Sequence, residues 1–189
     1  MILASQSPRR IELMRDAGFS FTVQPADIDE TAQPGEDPLA LVGRLAGEKA
    51  LSVAMTAPTG ELVVAADTVV ALDGRILGKP ADPAEARAML MALSGRTHTV
   101  ATGVAVARGG TEPSIVEHFV DTCAVRFHEL DDDEIEAYVA SGEPFDKAGA
   151  YGIQGRGGRL LVNSIHGDFY TVVGLPIARV VRLLRAIGV

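Results

Sequence analysis

Apolar residues recur along this chain with two different periods, and the switches between them mark its elements. Residues 1–4 form a short apolar run that predicts a strand. Ser7 and Pro8 have the character of an N-cap and a first helical residue, opening a helix to about Ala17. Residues 19–23 predict a second strand, and the polar stretch 24–37, with two prolines, reads as a loop. Asp37-Pro38 starts a longer helix that places Val42, Leu45, Ala46, Ala50 and Val53 on one face.

Leu62–Leu72 is apolar and rich in Val, the pattern of a strand covered on both faces. Asp73-Gly74 is a two-residue hairpin signal joining it to Arg75–Leu77. Asp82, Pro83 and Glu85 supply the cap, first residue and capping-box acid of a helix that ends near Ser94-Gly95. Residues 97–107 alternate, residues 115–127 are strand-like, and Gly109-Gly110 lies in the turn between them, which predicts a long hairpin. Asp131 and Glu134 frame a helix through Val139. Residues 141–158 hold six of the chain's twenty glycines and read as a loop; 160–165 predict a strand. Pro176 opens the last helix, with Ile177, Val180, Val181, Leu184 and Ile187 inward and Arg179, Arg182 and Arg185 outward.

Helices interleave with strands and hairpins occur among them. That combination predicts an α/β fold with a mixed, twisted sheet and flanking helices rather than a purely parallel one. No repeat, low-complexity tract or linker interrupts it, so residues 1–189 are expected to form a single domain.

Composition narrows the function. Aromatic residues are only 5% and Trp is absent, so the core must be aliphatic. A formal net charge of -8 argues against nonspecific nucleic-acid binding, which depends on neutralising many phosphates. It leaves room for a small anionic ligand, which answers to local charge and to any bound cation. Cys123 is the only cysteine, so no intrachain disulfide forms, in keeping with a reducing, cytoplasmic setting. No apolar run approaches the ~20 residues of a membrane span, and the N-terminus lacks a signal-peptide pattern.

Four segments carry candidate chemistry. Ser5-Gln6-Ser7-Pro8-Arg9-Arg10 leads from a strand through a tight loop into a helix start, where free N–H groups bind anions. Two arginines in that first turn oppose the helix dipole, a conflict that an anionic ligand would remove and that simple solvation would also relieve. Asp67, beside Thr68, is a carboxylate inside an apolar strand; that costs several kcal/mol unless it is paired or ligates a metal. Lys49 falls on the apolar face of its helix, either snorkelling or facing a ligand, and Lys79 precedes Pro80. Glu143-Pro144-Phe145-Asp146-Lys147, followed by the glycines around Gln154, is a surface loop or one whose backbone approaches a ligand. There is no P-loop, no Rossmann spacing, no His-Glu-x-x-His and no thiolate zinc set. The acidic run 131–134 is explained by helix capping, and His98 and His166 have no partner for Ser-His-Asp chemistry.

Together the segments resemble the Maf family. Its N-terminal signature is similar to residues 3–10. Further likeness lies in Ala66-Asp67-Thr68-Val69-Val70, Gly78-Lys79-Pro80, Ser94-Gly95-Arg96-Thr97-His98, Tyr138 to Pro144, Asp146 to Gly155 and Val173-Gly174-Leu175-Pro176. The resemblance covers nearly the whole chain in order. It implies a two-lobed α/β fold around a cleft, similar to inosine triphosphate pyrophosphatases. It implies hydrolysis of a nucleoside triphosphate to the monophosphate and pyrophosphate with Mg or Mn, in a cytoplasmic homodimer that binds neither nucleic acid nor membrane. Carried over by motif, Asp67 would take the proton from water and Glu30 would help it hold the metal. Ser5, Arg9, Lys49 and Lys79 would hold phosphates, and Asp146 and Lys147 would contact substrate. Arg10, Thr68 and Gln154 match the branch that prefers dTTP and UTP over 7-methyl-GTP. An amide such as Gln154 can both donate to and accept from a base edge. Broad removal of modified nucleotides, or nucleotide-dependent regulation of septum formation, are the family's other associations.

Overall fold

A computed structural model describes all 189 residues. Its strands are β1 (Ile2–Leu3), β2 (Thr22–Val23), β3 (Leu62–Leu72), β4 (Arg75–Leu77), β5 (Thr97–Arg108), β6 (Ser114–Phe127) and β7 (Val162–His166). Its helices are α1 (Pro8–Asp16), α2 (Pro38–Ala54), α3 (Pro83–Leu93), α4 (Asp132–Ala140), α5 (Gly158–Leu161), α6 (Phe169–Val173) and α7 (Ile177–Ala186). The strands are ordered β2-β1-β3-β5-β6-β7, with β4 paired to β3. β1 runs parallel to β2 and β3, whereas β4 is antiparallel to β3 and β7 to β6, so the sheet is mixed, as expected. No helix is long and apolar enough to cross a membrane.

The chain forms two compact units. One comprises Met1–Asp67, Thr102–Asp121 and Gly174–Val189; the other comprises Thr68–Ala101 and Thr122–Val173. In the first unit the strands are covered on both faces. Ile2, Ala4, Val63, Ala65, Ala105 and Ala107 pack beneath Ala46, Ala50, Val53 and Ala54 of α2. Leu3, Val64, Ala66, Val104 and Val106 pack on the other face against Met14 of α1 and Val180 and Leu184 of α7. The alternation in residues 97–107 is therefore, in its second half, between small and larger apolar residues rather than between polar and apolar ones.

The small side lets α2 lie close to the sheet. A Cβ on Gly103 would sit 2.2 Å from the Val42 carbonyl oxygen. Gly103→Ala is accordingly expected to lower stability by about 1–3 kcal/mol through overpacking against backbone. A urea midpoint equal to that of the parent would show that α2 can step back without cost.

In the second unit α3 and α4 cover one face. Ala86, Leu90, Leu93, Ile135 and Tyr138 pack there on Val70, Leu72, Val100, Val125 and Phe127. The turn between β3 and β4 has positive φ at both Asp73 (51°) and Gly74 (76°), as a two-residue hairpin requires. Asp82 and Asp131 each accept the N–H three residues on, and at α4 the Glu134 carboxylate completes a reciprocal capping box. His98 is buried in this core, its Nε2 2.8 Å from the Tyr151 hydroxyl; burial pulls its pKa down to about 4, so it is neutral at physiological pH.

Three expectations differ from the structure. The strand foreseen at 19–23 shrinks to Thr22–Val23, because β1 offers only two residues to pair and Phe19 and Phe21 turn into the core instead. The strand foreseen at 160–165 starts two residues later, after the helical turn Gly158–Leu161. α6 had no signature in the apolar pattern.

Candidate active site

The parallel pairing of β1 and β3 fixes the centre of the first unit. Ile2 and Leu3 lie opposite Val63 and Val64, and Ala4 N–H donates to the Val64 carbonyl at 2.8 Å. Ser5 thus leaves β1 beside the stretch that ends at Asp67. Ser5 stands just past the carboxyl end of β1, where open α/β sheets place their ligand sites, and Asp67 lies in mid-strand, three residues beyond the stretch of β3 that pairs with β1.

Ser5 is buried, and its hydroxyl accepts from Ser7 N–H at 3.2 Å and from Arg10 Nη1 at 3.4 Å. Ser7 caps α1 by position only: its side chain accepts no helix N–H, and the first turn carries no acid. The opening of α1 therefore keeps its positive character. Arg10 is half-buried and anchored by Nε to the Gly174 carbonyl at 2.8 Å. Burial pulls its guanidinium pKa down. The charge of Asp67 pulls it back up, Arg9 presses it down, and Glu30 raises it. Those four side chains thus share one electrostatic neighbourhood.

Lys49 is the hub. It lies on the covered face of α2, between Ala46, Ala50 and Val53, and is only 7% exposed. Its ammonium does not snorkel to solvent. It lies 2.6 Å from Asp67 Oδ1 and 2.9 Å from Glu30 Oε1. Asp67 is 13% exposed at its side chain and Glu30 58%, so Lys49 links a sheltered acid to one that faces water. Arg9, Arg10 and Lys49 set against Asp67 and Glu30 leave one unit of positive charge, a balance suited to an anion.

Glu30 comes from the long polar loop, and sequence reasoning missed what holds that loop. Arg44 grips both Glu36 carboxylate oxygens at 2.7 and 2.8 Å, donates to the Thr31 carbonyl at 3.2 Å and reaches Glu48 at 3.1 Å. The bond from Arg44 holds the Glu36 carboxyl down at about 2. The available signal was a lone arginine on α2 with acids four residues on and eight residues back.

The remaining candidates belong to the second unit. Thr68 follows Asp67 on β3 and is half-buried. Lys79 is exposed in the segment after β4, which is pinned by Gly149 N–H donating to the Gly78 carbonyl at 3.0 Å. Lys147 donates to the Glu143 carbonyl at 2.7 Å and to Asp146 at 2.5 Å. Gln154 is exposed in the glycine-rich segment.

A family description for Maf-like proteins matches residues 1–187. The chain belongs to the Maf family. A relative from Moorella thermoacetica named dTTP/UTP pyrophosphatase is 54% identical over 189 residues, covering 100% of this chain and 95% of that one. Proteins of the same name from Symbiobacterium thermophilum and Halalkalibacterium halodurans are 52% and 51% identical, covering 94% and 96% of their lengths. Among solved structures, a HAM1 protein from Coxiella burnetii aligns with a TM-score of 0.47 at 21% identity, covering 72% of this chain and 89% of that one. The Maf motifs acquire physical roles here. Val173-Gly174-Leu175-Pro176 supplies the carbonyl that anchors Arg10 and buries Leu175 in the first unit's core. Gly78-Lys79-Pro80 supplies the carbonyl that receives Gly149.

Proposed function

We propose that this chain hydrolyses nucleoside triphosphates, dTTP and UTP foremost, to the monophosphate and pyrophosphate. Relatives of that name, more than half identical over the full chain, support the reading. The observation that carries it chemically is the buried Lys49 ammonium held between Asp67 and Glu30, next to Arg10 and the uncapped start of α1.

Asp67 is the proton acceptor. With Oδ1 held by Lys49, its carboxylate is oriented, and it takes a proton from the water that attacks the α-phosphorus. Charge then develops on the departing pyrophosphate. Lys49, Arg9 and Lys79 are the cations we assign to neutralise it, the contribution that dominates phosphoryl-transfer catalysis. Ser5 and Arg10 complete the phosphate cradle.

A divalent cation fits this donor set. Two carboxylates already converge on one cationic centre, the Lys49 ammonium, and Mg is commonly held by one or two carboxylates together with substrate phosphates. No group of three or more His, Cys, Asp or Glu forms an all-protein cage, which Mg does not require. Glu30 and Asp67 would hold the ion, and when bound it would supply further charge neutralisation for the phosphates. We assign Thr68, Asp146, Lys147 and Gln154 to recognition of the nucleoside. The same reading sets the enzyme in the cytoplasm, in keeping with a buried Cys123 that forms no disulfide, and makes it a homodimer.

Two measurements test the proposal. In a panel of canonical and 7-methylated triphosphates, dTTP and UTP should be turned over at least about tenfold more efficiently than the rest. In oxygen-18 water the label should enter the monophosphate. Label in pyrophosphate or orthophosphate would show attack at another phosphorus.

A further inference from the structure

The glycine-rich segment carrying Gln154 is not a slack loop, and its glycines face side chains of its own unit. A Cβ on Gly152 would fall 2.5 Å from Lys147 Cδ and Cε, and one on Gly157 would fall 2.5 Å from the Tyr138 ring. One on Gly155 would fall 2.2 Å from Glu143 Oε2, and one on Gly158 would fall 2.2 Å from the Gly152 carbonyl oxygen. Tyr138 Oη also accepts from Gly152 N–H at 3.2 Å. At the centre is the Glu143 carboxylate. Its Oε1 accepts from Arg156 N–H at 3.0 Å and Gly157 N–H at 3.3 Å, and its Oε2 accepts from Gly158 N–H at 3.4 Å. A carboxylate gathering three successive backbone donors closes the segment into one shape and curls it into α5. Gln154, two residues before the first of those donors, is left projecting into solvent.

We infer that Glu143 is a positioning residue for Gln154, so that base selectivity depends on an acid that never touches the base. The inference rests on the assignment of Gln154 to base recognition. A misplacement of about 1 Å at a recognition group is enough to cost affinity for the part of the substrate it reads. Loss of Glu143 should therefore weaken discrimination between bases while sparing the grip on the triphosphate tail, which lies with other residues.

The test compares Glu143→Ala, Glu143→Gln, Gln154→Ala and the double variant Glu143→Ala/Gln154→Ala, each checked for folding by circular dichroism. The readouts are the dTTP-to-dCTP ratio of kcat/KM and inhibition by inorganic tripolyphosphate, which has no base. Expected for Glu143→Ala is a fall of about tenfold in the ratio, carried by KM, with tripolyphosphate inhibition unmoved. Glu143→Gln, which keeps an oxygen for Arg156 and Gly157, should recover most of the ratio. The double variant should be no less selective than Gln154→Ala, because the two side chains act through one contact. A Glu143→Ala enzyme with parental selectivity, or a double variant whose losses add, overturns the inference while leaving Gln154 as a reader of the base. Parental selectivity in Gln154→Ala overturns both.

Discussion

Asp67→Asn is expected to lower kcat for dTTP by about a thousandfold, within the range for a lost general base, while KM changes little. The asymmetry follows from where the side chain sits. Asn has the same shape, and its amide oxygen can still accept from Lys49, which lies 2.6 Å from Oδ1 in the parent. The strand around it, buried from Val63 to Ala66 and again from Val69 to Leu72, loses no apolar contact. Substrate phosphates still meet Arg9, Arg10 and Lys49. What the amide cannot do is accept a proton from water. Lys49 keeps the Glu30 carboxylate at 2.9 Å as well as the amide oxygen, so thermal unfolding should shift down only modestly, and steady-state kinetics should carry the larger effect. Retention of more than a third of the parental kcat would remove Asp67 from the role of base.

Asp67 was legible in the sequence because the rule it breaks is local. An acid inside an unbroken Val-rich run has few explanations, and the run's ends were marked by its own composition and by Asp73-Gly74. Lys49 was legible as an exception on an apolar face, but its direction was not. A lysine stem on such a face is equally consistent with a solvated head, and only the approach of α2 to β3 turns the ammonium toward Asp67. α2 also lies close against β5, where Gly103, more than fifty residues further along the chain, leaves room for the Val42 carbonyl. Arg10 was visible as a cation at a helix start, whereas its anchor, the Gly174 carbonyl, is 164 residues away. The glycines from 152 to 158 read as freedom for a ligand or for motion. They are close packing, because the groups that fill their space, Tyr138, Glu143 and Lys147, precede them by several residues or more and nothing local reveals the contact. Elements whose cause is local, the Asp73-Gly74 turn and the Asp131 capping box among them, were read correctly.

Lys49→Met should injure stability as well as turnover. The replacement matches the stem in length and keeps the apolar contacts with Ala46, Ala50 and Val53, so the change is mainly the loss of one buried charge. Asp67, 13% exposed, then faces its neighbours without the cation that compensates it. Removing one partner of a buried pair typically costs about 3–5 kcal/mol. Arg10 remains within electrostatic reach of Asp67 and Glu30 is open to water, which sets the expectation near the low end, about 3 kcal/mol. The sign of the second step separates this cause from simple loss of packing. Adding Asp67→Asn to Lys49→Met removes the orphaned charge, so the double variant should regain most of the lost stability, by denaturant titration, while its activity stays low. If instead the two substitutions destabilise additively, Lys49 holds the fold through its stem and not through its charge. The balance of three cations against two carboxylates would then lose its centre.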